Sequence, residues 1–171
     1  MTTAELTAPS AIAHDSSEGL FSFPHPVNEV SARLVAGTVV LLSLVTIAFD
    51  IPWLTLVIAY GFVARVLTGP TLSPLGQIVT RVVTPRLPFK AKFVPGPPKR
   101  FAQGIGAVFS VTAAVLALGF GNTEAAYVVL GLLSVAAGLE AAFAFCLGCK
   151  VFALLIKTGL IPEQVCARCV G

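Results

Sequence analysis

The sequence predicts an all-α fold: an integral membrane four-helix bundle made of two transmembrane helical hairpins, with a short interfacial helix in the middle loop. Three observations carry this expectation. The first is composition: of 171 residues, 56% are hydrophobic and only 11% charged, where a soluble domain has roughly 25% charged residues. Mean hydropathy is +0.92. The second is the grouping of long apolar runs into two closely spaced pairs, and the third is the absence of Lys and Arg from the two hairpin tips against six of them in the segment between the pairs. A soluble globule and a disordered chain are both excluded, because disorder goes with low hydrophobicity and high charge.

Residues 1–30 read as a polar amino-terminal tail carrying Glu5, Asp15, Glu18 and Glu29. They lack a basic segment followed at once by an apolar core and a cleavage site, so a cleaved signal peptide is not expected. The first span covers about 31–49, with Arg33 near its start. At 1.5 Å per residue it meets the roughly 20 residues needed to cross the hydrocarbon layer. Asp50-Ile51-Pro52 interrupts it. A shorter second span follows over about 53–67, with Trp53 where an interfacial aromatic belongs.

The loop 68–100 is divided in two. Pro74–Val83 (PLGQIVTRVV) has the apolar stripe of a short helix lying in the interface, whereas Pro85, Pro88, Pro95, Pro97 and Pro98 predict extended chain after it. The third span covers about 101–120 and the fourth about 125–145, with Gly121-Asn122-Thr123-Glu124 between them. Gly104, Gly106, Ser110, Gly131, Ser134 and Gly138 allow the close backbone approach by which membrane helices associate. Because Gly104 to Ser110 is not a strict GxxxG motif, packing within one bundle is favoured over a homo-oligomer.

Orientation follows from the short loops. The two hairpin tips contain no Lys or Arg, and the middle loop carries Arg81, Arg86, Lys90, Lys92, Lys99 and Arg100. The positive-inside rule places this loop and both termini in the cytoplasm. These charges also suit anionic headgroups, at roughly 1 kcal/mol per basic residue. Two ionisable groups lie inside spans toward the same end: Arg65 in the second and Glu140 in the fourth. An unpaired charge at the bilayer centre costs at least about 2.5–3.5 kcal/mol, so an Arg65–Glu140 pair is expected, with a snorkelling Arg65 or a proton or substrate role for Glu140 as alternatives.

All four cysteines fall in two CxxC pairs. Cys146 and Cys149 sit in Phe145-Cys146-Leu147-Gly148-Cys149-Lys150 at the close of the fourth span; Cys166 and Cys169 lie in a 158–171 tail. Two thiols three residues apart can close and open a disulfide when the turn between them adapts, and Gly148 is expected to supply that freedom. Lys150 and Arg168 beside the pairs favour thiolate, and Cys146 is expected to be the sulfur that captures a partner. A reducing cytoplasm favours cycling dithiols over static bonds. The competing reading takes the same four residues as a metal site: C-x2-C-x16-C-x2-C has zinc spacing, and four thiolates close a structural tetrahedron. Apolar helix at Val151–Ile156 argues against a zinc knuckle, and inert cysteines are a third alternative. Either active reading needs the tail to fold back, for which Gly159 offers a helix stop. His14 and His25 are not recruited as ligands.

Val27-Asn28-Glu29, Ala32-Arg33, Gly69-Pro70 with Ser73-Pro74, Pro98-Lys99-Arg100-Phe101-Ala102 with Gly104-Ile105-Gly106, and Leu139-Glu140 with Phe145-Cys146-Leu147-Gly148-Cys149-Lys150 occur in this order. In these motifs the chain resembles DUF4395, a family of small bacterial integral membrane proteins, over about Val27 to Ile156. The resemblance implies a bacterial inner-membrane protein whose CxxC is the reactive feature, and association with thioredoxin-like or rhodanese-like sulfur proteins. The second CxxC lies outside it.

The expected function is thiol-disulfide or sulfur-relay chemistry through the paired CxxC motifs at the cytoplasmic face, without a cofactor. The alternatives are a non-enzymatic scaffold with a structural zinc site made by the four cysteines, and a small transporter using Glu140 and Arg65. The lipid bilayer is the expected surrounding. Nucleic acid is excluded by a net charge of only +3 and by the lack of aromatics interleaved with basic residues. No nucleotide-binding glycine motif or Ser/His/Asp set suggests a hydrolase or dehydrogenase.

Overall fold

A computed structural model describes residues 27–69, 71–86 and 92–162. Helix α1 runs Glu29–Ala48, α2 Leu54–Thr68, α3 Pro74–Gln77, α4 Gly96–Ala114, α5 Thr123–Phe143 and α6 Leu147–Lys157. A π-helical stretch, Ile78–Val83, prolongs α3, and another, Val115–Gly119, prolongs α4. Among the described residues, three helices are long and apolar enough to cross a membrane: α1, α4 with its extension, and α5. At 15 residues, α2 is shorter.

Each start has a local cause. The Asn28 side chain accepts from the Val30 N–H and caps α1, and Asn122 accepts from Ala125 N–H and caps α5. Pro97 and Pro98, expected in extended chain, instead occupy the first turn of α4. Proline is tolerated there because the first helical N–H groups have no partner within the helix. Thr84–Arg86 forms a 3-10 turn, so Pro85 is not in extended chain either; Pro95 is, and Pro88 lies outside the described residues.

The all-α expectation misses one feature. Val27–Asn28 pairs antiparallel with Phe93–Val94, the Glu29 N–H donates to Lys92 O at 2.7 Å, and Lys92 Nζ meets Glu29 Oε2 at 2.9 Å. Residues 27–30, read as tail, therefore belong to the folded unit. They tie the start of α1 to the end of the middle loop.

Small hydroxyl residues share the interior with an apolar core. Ser43, Thr46, Thr55 and Ser110 are fully buried, while Leu41, Val108, Val128 and Val135 face outward. Thr46 and Ser110 donate to carbonyls one turn back, so most of these hydroxyls enter the interior satisfied. Small residues at the contacts and large apolar ones outside are what lipid-facing helices require.

The sequential hairpins exist, but the closest pairings are α1 with α5 and α2 with α4. Gly37 of α1 faces Ala141, and Gly138 of α5 faces Val40. In the second pair, a Cβ added at Gly106 would lie 2.2 Å from the Phe62 ring, so only glycine admits that ring. The two hairpin tips share one end: the Tyr127 hydroxyl donates to Asp50 Oδ1 at 2.5 Å.

Candidate functional site

The opposite end gathers the chemistry. Helix α5 stops at Phe143 because Ala144 turns into the left-handed region, φ 56°, with its N–H on Glu140 O. The fourth span therefore does not run to 145 with the cysteines at its close. Cys146 begins a new helix instead. As the cap of α6, its Sγ accepts from the Cys149 N–H at 3.3 Å, and Cys146 and Cys149 are joined by a disulfide with Cα atoms 5.2 Å apart. That N–H and the helix start would favour negative charge on Cys146 once the bond is reduced.

Gly148 does not act as the flexible joint of this turn. A Cβ there would fall 2.6 Å from Cα of Ala102, so its absence lets the first turn of α6 lie directly on the α4 backbone. The two residues also differ in burial: Cys146 is 8% exposed, and Cys149 is less deeply buried. Lys150 lies beside the pair with Nζ 5.9 Å from the centre of the Phe145 ring.

The buried charges sort differently from the sequence expectation. Glu140 pairs with Lys99 at 2.5 Å, from the first turn of α4, rather than with Arg65. The sequence pattern places this lysine in the loop, outside any span. The signal available was its place one turn before the third span, with a stem long enough to reach inward. Arg65 is only 5% exposed and does not snorkel. Its Nε donates to Gln103 Oε1 at 3.2 Å, its guanidinium stacks 4.8 Å from the centre of the Phe62 ring, and Nη1 is buried without a hydrogen-bond partner among the described residues.

Arg65, Gln103, Glu140 and Cys146 border one cavity of about 340 Å³ whose remaining wall is largely apolar. Two other cations close helix ends: Arg33 donates to the carbonyls of Ala141 and Ala142, and Arg100 to that of Val66. At its far end, α6 stops in a Schellman turn, with Gly159 at φ 76°, Gly159 N–H on Ile156 O and Leu160 N–H on Leu155 O.

Among the described residues, no group of three or more His, Cys, Asp or Glu is placed to hold a metal. Cys166, Arg168 and Cys169 lie outside the described residues, as do His14 and His25. Cys146 and Cys149 are therefore brought together with each other, and Cys146 with the polar cavity.

Apolar helices with small residues at their contacts, and a cysteine pair at the start of a helix beside them, define a small helical membrane protein with a CxxC. The chain belongs to the DUF4395 family, a domain of unknown function, which it matches over residues 27–157. Neither a curated protein nor a solved structure matches it.

Proposed function

We propose that the protein carries thiol-disulfide or sulfur-relay chemistry through Cys146 and Cys149 at the cytoplasmic face of a bacterial inner membrane. The single observation that carries this reading is the bonded Cys146–Cys149 pair at the head of α6, seated where α4, α5 and α6 meet. A CxxC at a helix start is suited to opening and closing its bond, because the helix N–H groups stabilise the thiolate that leaves.

In this reading α2 also crosses the bilayer, making four spans, and both termini are cytoplasmic. Asp50 and Tyr127 then mark the outer end. A thioredoxin-like or rhodanese-like protein is the partner that exchanges with Cys149, and Cys166 and Cys169 serve as a shuttle in the tail.

The test is an alkylation mass count of the four thiols in purified protein across redox buffers. Loss of thiols in steps of two within roughly −220 to −320 mV establishes working dithiols. Thiols that stay blocked under reducing conditions until a chelator is added, then appear together, would overturn the reading in favour of a zinc-holding scaffold.

A further inference from the structure

Nη1 of Arg65 is buried and makes no hydrogen bond among the described residues; Glu140 attracts the guanidinium through space, Gln103 holds it on its other side and the Phe62 ring lies below it. A charged donor left unmet in an apolar interior is costly, so this N–H calls for an acceptor. It borders the 340 Å³ cavity that Cys146 borders too. The volume falls within the range of roughly 300–1000 Å³ typical of sites for organic ligands. The cavity lies among helices that are apolar enough for a bilayer, and Val35 and Phe62 are part of its wall.

These features constrain the occupant. A metal cation is disfavoured by Arg65 in the wall, and the one carboxylate there, Glu140, is already paired with Lys99. A small inorganic anion would answer the free N–H but leave the apolar volume empty. A lipid-soluble molecule with a carbonyl oxygen at one end answers both, and next to a cysteine pair it would also serve as an electron acceptor. We infer that the cavity binds the ring of a lipid-soluble quinone, with one carbonyl oxygen on Arg65 Nη1 and the ring beside Cys146.

This rests on the thiol-disulfide reading and names its acceptor. Reduced Cys146 and Cys149 give up two electrons and two protons, the S–S bond forms as both S–H bonds break, and the quinone gains two O–H bonds as hydroquinone. Arg65 acts by positioning the ring and stabilising the negative charge that develops on the carbonyl oxygen. A partner dithiol then reopens the disulfide at Cys149, the less buried sulfur.

The experiment uses the full chain in detergent, reduced and freed of reductant without oxygen, then given decylubiquinone. This quinone has a fully substituted ring that cannot add a thiol. Quinone absorbance and alkylated mass are followed together. The expected result is one quinone reduced per disulfide formed, saturable in quinone. Arg65→Met should raise the half-saturating concentration at least about tenfold, the loss expected for one hydrogen bond to a charged group, while oxidation of its thiols by diamide is unchanged. Ala136→Phe fills the cavity without altering a charge. It should have the same effect, and it decides the matter if the arginine variant fails to fold.

Oxidation that is linear in quinone, or equally fast in Ala136→Phe, would overturn the site. A pair that diamide oxidises but decylubiquinone does not would overturn the quinone site and leave the thiol reading standing. A pair that resists diamide as well would overturn both.

Discussion

Lys99 Nζ lies 2.5 Å from Glu140 Oε1, joining the first turn of α4 to the last turns of α5 with side chains only 10% and 19% exposed. The acid that the sequence places inside a span is thus neutralised by a lysine that the sequence places outside one. Because α4 begins at Gly96 rather than near 101, Lys99 is already helical and its stem follows the helix inward. Removing one partner of a buried pair leaves the other charged and unmet, at a cost of roughly 3–5 kcal/mol.

Lys99→Met should therefore destabilise the protein by about 3 kcal/mol. Glu140→Gln should cost less, because a lysine freed at this end can swing toward headgroups. The double variant should recover much of the Lys99→Met loss. Unfolding in a denaturing detergent, run as a double-mutant cycle, checks this, and additive losses would count against the pair. Thiol reactivity of Cys149 should change less than stability in all three.

Two glycines should differ in how well alanine replaces them. At Gly106 the new Cβ meets the Phe62 ring, which can rotate, so Gly106→Ala should cost about 1–3 kcal/mol. Phe62→Leu in the same chain should return part of that loss. At Gly148 the new Cβ meets the Cα of Ala102, and backbone must move. Gly148→Ala should reach the upper end of that range and should not respond to Phe62→Leu. Thermal unfolding of the four variants ranks them.

The sequence made the helices legible wherever apolar length alone decides: α1, α2, α4 and α5 fall within a few residues of the expected spans, apart from the earlier start of α4. It left obscure whatever depends on one residue's conformation or on distant contacts. Nothing local announces that Ala144, a residue with no preference for the left-handed region, ends α5 and makes Cys146 the cap of another helix. The two-residue pairing of Val27–Asn28 with Phe93–Val94 joins segments far apart in the chain and is too short to leave a strand pattern. The cysteine pair was legible from spacing. Its neighbour Arg65 was singled out for its charge, but its partner was misassigned, because Glu140 could be matched with any cation at the same end.

The orientation proposed above places Phe49 outside and Leu160 in the cytoplasm. Both are exposed, at 72% and 74%, beyond the ends of α1 and α6. In a chain with all four cysteines changed to serine, a membrane-impermeant maleimide applied to intact cells should label Phe49→Cys and spare Leu160→Cys. Labelling after lysis should reach both. The reverse pattern would invert the topology and place Lys150 and Lys157 outside, against the distribution of basic residues.

The last prediction concerns which sulfur meets a partner. Cys146 is held under the first turn of α6, takes the Cys149 N–H on its Sγ and turns toward the cavity, so an incoming protein thiolate has the shorter approach to Cys149. Attack there forms a mixed disulfide at Cys149 and releases Cys146, whose thiolate the helix start stabilises as a leaving group. Cys146→Ser should therefore keep a free Cys149 that traps a small thioredoxin-like protein carrying an activated disulfide. Cys149→Ser, with only the buried sulfur left, should trap roughly tenfold less in the same time, because exchange depends on access as well as on thiolate. Both variants should be made with Cys166 and Cys169 changed to serine, so that the tail cannot substitute for either sulfur. Non-reducing gel electrophoresis after a timed quench reads the adduct. Equal trapping by the two would mean that α6 opens before exchange, and that access in the closed structure does not set the order.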